Sequence, residues 1–369
     1  METIVCKCRV ITPMFSSGAD QTKCEIRVPE IKAAMRFWWR AANSNLKLDE
    51  LKRRETLIFG GSGDKEARKS AFTMRVGNMK QINYGQNDWE RDAIKVETGK
   101  SFRVNIFDYL AYGVAVYDKA KKKNILQRTA IGAGSTFDLL IQVDKECKTT
   151  NKKTKEVEVV KDVNPLEEVN RALELFSCFG SLGSKSRNGF GKIEIYEING
   201  KPFHTDILEL CGDCFGKSEK FPEYTAFSEQ SYLFSTQKEY PAWQKALHKI
   251  GDAYRLARIG EHYKSGLVVN GEGDHHQGLN RQYLAQPLNM GKDAKGKDII
   301  VNEIGLEDRM AKQFFMIVEP EGDQYRGYIL HLPFNIKDVA PKADGKKWLD
   351  VNEEMKNQLR KYLADLMEE

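Results

Sequence analysis

Three observations predict an α+β protein in two domains. Strand-like runs alternate with helix-period runs along the whole chain. The three clearest helical stretches each open at a proline: Pro29, Pro165 and Pro241. Proline suits that position because its fixed φ and missing N–H cost nothing in a first helical turn. The length of 369 residues exceeds one ordinary core and fits about two domains of 100–200 residues.

The elements follow in order. Residues 2–12 alternate loosely and are β-branched at several positions, which predicts a first strand. Pro13 and Ser16-Ser17-Gly18 end it. After Pro29, Ile31, Met35, Trp38 and Ala42 recur at i, i+4, i+7 and i+11, one apolar stripe of a helix. Lys32, Arg36, Trp39 or Arg40, and Asn43 form a second stripe on the same helix. Gly60 to Gly99 is polar and carries no readable period. Phe102 to Asn105 and Thr136 to Val143 read as strands, and the Lys- and Thr-rich tract Lys148 to Lys161 as an exposed hairpin or mobile loop. Pro165 opens a helix with Leu166, Val169, Leu173 and Phe176 on one stripe; a glycine-rich segment and a strand over 192–198 follow. The order is strand, helix, strands, helix, strand, the split βαβ pattern of a ferredoxin-like (RRM-like) domain.

The second half repeats this less clearly. Ser231 to Ser235 reads as a strand, and Pro241 opens a helix with Trp243, Leu247, Ile250 and Tyr254 on one stripe. Gly266 to Gly278 reads as a loop. Phe314–Val318 and Tyr328–Leu332 read as a hairpin across Glu321-Gly322-Asp323, and Met355, Leu359, Tyr362 and Leu366 as the stripe of a last helix. The expectation is two tandem ferredoxin-like domains, 1–205 and 206–369, with antiparallel sheets and helices on one face.

Composition excludes several classes. Hydrophobic content of 41% beside 30% charged residues is that of a globular chain, not a disordered one. No stretch nears the roughly 18 uninterrupted apolar residues of a membrane span. Met1 to Arg9 has charges within its apolar run and no small-residue cleavage site, which predicts a cytoplasmic protein. Seven scattered cysteines do not form a disulfide framework. Cys211-Gly-Asp-Cys214, with His204 upstream, is a single CxxC, and structural zinc usually takes four ligands. No metal or cofactor is expected. A net charge of +5 is too small to establish nucleic-acid binding by itself, so any such surface must be local.

Catalytic patterns are sparse. No HExxH, GxSxG or kinase set occurs. The six histidines, His204, His248, His262, His275, His276 and His331, all follow the glycine-rich segment. His275-His276, beside Glu272 and Asp274, read as a solvated loop rather than as ligands. Asp20, beside Gly18 and Ala19, has no acid–base partner visible in sequence.

Two features fit nucleic acid. Gly180 to Gly191 matches neither a P-loop nor a dinucleotide fingerprint, because both need set spacings that open a helix. It is a glycine-rich loop leaving a helix, with Lys185, Ser186, Arg187 and Asn188 on permissive backbone. Such residues suit phosphate contacts; a helix C-cap followed by a solvated basic turn fits equally. In Arg36-Phe-Trp-Trp-Arg40 the two indoles point about 100° apart on a helix, so one sheet cannot bury both. Either one is partly exposed as a stacking platform beside a cation, or both pack in a core or interface.

Residues 11–20, ITPMFSSGAD, and 27–41, RVPEIKAAMRFWWRA, with Glu55 to Gly60 and the loop Gly180 to Gly191, resemble the RAMP superfamily. Within it they are similar to the first RAMP subunit of CRISPR type III-B (Cmr) effector complexes. Ser17, Ser181 and Asn188 depart from the family pattern, and residues 280–288 match loosely. The resemblance implies a non-catalytic subunit that holds CRISPR RNA and target RNA and contacts neighbouring RAMP subunits at the end of a filament, near the 3′ part of the guide. It implies an RNA path along Arg27, Lys32, Arg36, Trp39 and Arg40, with Gly183, Lys185, Ser186, Arg187, Asn188 and Phe190, and Arg281 in the second half. A RAMP endoribonuclease and a purely structural module are the alternatives.

Overall fold

The computed structural model describes residues 1–20, 23–61, 68–98, 102–150, 157–218, 221–260, 267–270, 272–273, 280–286, 288–292, 297–302, 304–306 and 309–366. His262, Asp274, His275 and His276 lie outside them. The protein is α+β with antiparallel sheets.

The first sheet holds β1 (Glu2–Val10) at its centre. Ile4, Cys6, Cys8 and Val10 are buried at every second position, so one face is covered and the other carries Lys7 and Arg9. Helices α1 (Val28–Ala42) and α2 (Leu48–Phe59) follow, then β2 (Phe72–Lys80), α3 (Gln86–Asp92) and α4 (Ile106–Leu110). A hairpin of β3 (Ala115–Asp118) and β4 (Lys123–Leu126) precedes β5 (Thr136–Val143). Helix α5 (Pro165–Phe179), β6 (Ile193–Ile198) and the short β7 (Lys201–Pro202) complete this half. The sheet order is β7-β6-β1-β5-β2, all neighbours antiparallel. Ile31, Met35 and Trp39 of α1 and Val169, Leu173 and Phe176 of α5 share one core with the covered face.

In the second half, α6 (Ile207–Phe215) and β8 (Tyr232–Ser235) lead into α7 (Trp243–Ile259). The hairpin β9 (Phe314–Glu321) and β10 (Gln324–His331), the short α8 (Ile336–Val339), α9 (Gly345–Arg360) and β11 (Ala364–Asp365) follow. The order is β9-β10-β8-β11. The stripe expected through Tyr362 and Leu366 overshoots: α9 stops at Arg360, and Ala364–Asp365 instead pair with β8.

Strand β9 is buried on both faces. Phe314, Met316 and Val318 pack with Leu247, Ile250 and Tyr254 of α7. Phe315 and Ile317 pack with Trp38 of α1, Phe179 of α5 and Cys211 and Cys214 of α6. The stretch between β2 and β5 joins the α7 core: Trp89, Phe107 and Leu110 are buried in it, and Phe107 stacks on Trp243 at 5.7 Å.

Candidate nucleic-acid interface

The glycine-rich loop is pinned at both ends before any side chain is considered. Ser184 N–H donates to the Phe15 carbonyl and Gly191 N–H to the Pro13 carbonyl, each at 2.9 Å. At Gly183, with φ +84°, a Cβ would fall 2.7 Å from the Phe15 carbonyl; at Gly191, with φ +76°, it would fall 1.8 Å from the Leu182 oxygen. Only glycine fits both constraints. Lys185 is the non-glycine residue of this loop held left-handed, at φ 65°, a conformation that costs about 1–2 kcal/mol. Gly183 N–H donates to Glu30 Oε1 at 2.7 Å, and Ser16 Oγ donates to Glu30 Oε2 at 2.6 Å. That amide is therefore satisfied from within.

The loop's side chains run into a group of cations drawn from distant segments. Lys185 is half-buried beside the second half; burial lowers its ammonium pKa, and so do Arg309 and Arg128. Arg187 lies over the rings of Phe315 at 4.5 Å and Phe37 at 5.5 Å and donates to the Lys312 carbonyl. Burial pulls its guanidinium down to about 10. Lys312 donates to Asn188 Oδ1 at 2.6 Å and sits over Tyr254. Burial first, then Arg258, Arg187 and Lys185, hold its ammonium well below its ordinary range. Asn188 Nδ2 closes the arrangement on the Leu110 carbonyl at 2.5 Å. Among the described residues no carboxylate pairs with Lys185, Arg187 or Lys312. Ser186 borders a cavity of about 200 Å³ between the loop, Phe37, Trp38 and Phe315.

The cations of α1 are placed differently. Arg36 and Arg40 both pair with the buried carboxylate of Glu55 on α2. Lys32 lies over Phe72 at 5.0 Å; burial, then Arg36, lowers its pKa. This stripe faces α2 and β2, whereas Ala34, Phe37 and Trp38 line the cavity beside Arg187. At about 100° per residue the two sets are nearly opposite on the helix. The structure thus does not bring the α1 cations together with the loop cations. Arg27 is exposed at the N-cap of α1, and Arg281 lies in the 3-10 turn Arg281–Tyr283 beside α9.

Two residues expected on an RNA path are wholly buried. Trp39 packs in the first core, its indole N–H on Glu168 Oε2 at 2.7 Å. Phe190 packs against Phe15 and Trp89. Neither presents a ring face to a base. Trp38 is buried too, against Phe179, Phe227 and Phe315. One sheet does not bury both indoles; a second layer takes the other.

The remaining candidates lie away from the loop. Cys211 and Cys214 are buried on α6 with thiol pKa values raised by burial, and no group of three metal-ligating side chains forms among the described residues. Asp20 pairs loosely with Lys23 at 3.6 Å. No helix among the described residues is long and apolar enough to cross a membrane. Sequence reasoning missed Lys312, Arg258, Arg128 and Arg309, which fall in three separate segments and in no recognisable motif.

The family model described as RAMP superfamily matches residues 7–194, just over half of the chain. No curated protein matches. The crystal structure of Cmr1 from Pyrococcus furiosus in its apo form is similar with a TM-score of 0.53 at 16% identity, over 99% of this chain and 98% of that one. A chain in the cryo-EM structure of the Type III-B Cmr-beta bound to cognate target RNA is similar at 13% identity and a TM-score of 0.46, over 97% of this chain and 99% of that one. At these identities the first likeness shows the fold alone.

Proposed function

The chain belongs to the RAMP superfamily, and from that premise we propose that it is a non-catalytic RNA-binding subunit of a CRISPR type III-B effector complex. It caps the filament near the 3′ part of the CRISPR RNA, contacts the guide–target duplex and adjoins neighbouring RAMP subunits. The two sheets are read as tandem ferredoxin-like domains, 1–205 and 206–369. The strand order of the first, with α1 and α5 on one face, supports that reading.

The observation that carries it is the gathering of Lys185, Arg187 and Lys312, with no carboxylate paired to them among the described residues. Like charges partly withdrawn from water repel one another, and an arriving phosphate relieves that repulsion. Lys185 and Arg187 come from the loop that the sequence resemblance places on the RNA.

The test is a gel-shift and cleavage assay with the purified chain, labelled single-stranded RNA and a salt series. The expected result is intact RNA bound with an affinity that falls steeply with salt. RNA cut at a fixed position would overturn the non-catalytic reading, and salt-insensitive or absent binding would overturn the RNA reading.

A further inference from the structure

Beyond the loop, the hairpin β3–β4 lays its second strand against α3 and α4, where Leu126 N–H donates to Gln86 Oε1 at 2.8 Å and Asn124 Nδ2 to Asp108 Oδ2 at 2.7 Å, and leaves its turn and Val116–Tyr117 in solvent. Its base is fixed by Ala115, buried in the α7 core, opposite Leu126. Past that pair, adjacent residues Val116 and Tyr117 are exposed at 42% and 58%, although neighbours on a strand point to opposite faces. Tyr112, just before the hairpin, is 71% exposed. The turn carries Lys119, Lys121 and Lys122, all exposed. Asp118, the acid at this turn, is engaged in capping the N–H groups of Ala120 and Lys121 at 2.8 and 3.0 Å. Lys123 pairs with Glu90 at 2.7 Å; no carboxylate among the described residues pairs with the three turn lysines.

The hairpin is continuous with the loop cations. A Cβ on Gly113, next to Tyr112, would lie 3.9 Å from Lys185 Nζ. Arg128, two residues beyond β4, is one of the charges that bear on Lys185. Lys185 thus sits between the two ends of the hairpin.

We infer that the β3–β4 hairpin, with Tyr112 at its base, is a second contact for single-stranded RNA, its lysines on phosphates and Tyr112 stacked on a base. This rests on the RNA-binding reading above. Exposed tyrosines alone would suit a protein partner equally. Lysine, however, is depleted from protein interfaces, whereas a basic surface carrying aromatic faces is the common form of single-strand binding sites.

The experiment is fluorescence anisotropy of the full chain with a fluorescein-labelled, mixed-sequence single-stranded RNA across a salt series. The combined variant K119A/K121A/K122A is expected to reduce the slope of log affinity against log salt by about 2, at roughly 0.7 per phosphate contact. Tyr112→Ala is expected to weaken binding by about 5- to 150-fold with the slope unchanged, and Tyr112→Phe to restore it. All four side chains are exposed, so folding is not at issue. Wild-type binding by every hairpin variant, while Lys185→Ala binds weakly, would overturn the hairpin contact and leave the RNA reading intact. No salt-dependent binding by the wild-type chain would overturn both.

Discussion

Lys192, at the threshold of β6, lies 2.6 Å from Glu319 of β9, and the pair joins the two halves of the molecule. Lys192 also donates to the carbonyls of Ser177, Cys178 and Ile193, so its charge is well solvated by the protein. Burial outweighs the pull of Lys192 on Glu319 and pushes that carboxyl up to about 7, from an ordinary 4.5. Between those values the folded protein holds a proton that the unfolded chain releases. Glu319 therefore makes stability fall as pH rises through that window. Denaturant unfolding of wild type and Glu319→Gln, compared below about pH 5 and above about pH 8, should show the variant losing this part of the pH slope. An identical slope in both proteins would refute the assignment.

Trp39 is predicted to be a stability residue. It fills the first core and holds Glu168. Trp39→Ala should cost about 3–5 kcal/mol in chemical denaturation. At temperatures where the variant remains folded, its RNA affinity should match wild type. A variant with wild-type stability and weakened RNA binding would reverse this.

The contrast between Trp39 and the loop marks what was legible in the sequence. Periodicity located α1, β5, α5, α7 and the β9–β10 hairpin, because each buries a face that recurs at 3.6 or 2 residues. It also ruled out a single sheet for both Trp38 and Trp39, leaving open an exposed indole or a second layer. It could not supply the second layer, because Phe315 comes from more than 270 positions further on. Glu55, which pairs with both Arg36 and Arg40, was within the segment quoted for the family resemblance, yet nothing local marks it as their partner. In the stretch from Gly60 to Gly99, β2 turns Phe72, Met74 and Val76 inward at alternate positions, but a register shift between Gly77 and Lys80 breaks that short period, and α3 buries only Trp89 and Asp92. The α9 stripe misled because Tyr362 and Leu366 continue its spacing after the helix has ended.

Loop and helix cations should respond differently to substitution. Arg36 is held on the buried carboxylate of Glu55, so its guanidinium is engaged within the fold rather than offered to RNA. Lys185 has no such partner among the described residues. In the salt series Lys185→Ala should reduce the log–log slope by about 0.7. Arg36→Ala should leave the slope near wild type and lower stability, since it leaves Glu55 dependent on Arg40 alone. Equal loss of slope in both variants would place the α1 stripe on the RNA as well.

The backbone of the loop should matter as much as its charges. Gly183 combines a left-handed φ of +84° with a Cβ position 2.7 Å from the Phe15 carbonyl. Gly183→Ala must pay the left-handed conformation, about 1–2 kcal/mol, and must also push the loop from the Pro13–Ser16 segment. The shift breaks the donation of the Gly183 N–H to Glu30 and displaces Lys185 two residues later. RNA affinity should fall by at least as much as in Lys185→Ala, although every cation is still present. Gly200→Ala is the matched control: it sits at φ +77° with nothing near its Cβ position, so it shares the backbone cost without the collision. If both alanine variants bind RNA as wild type does, the geometry of the loop is not what places its cations.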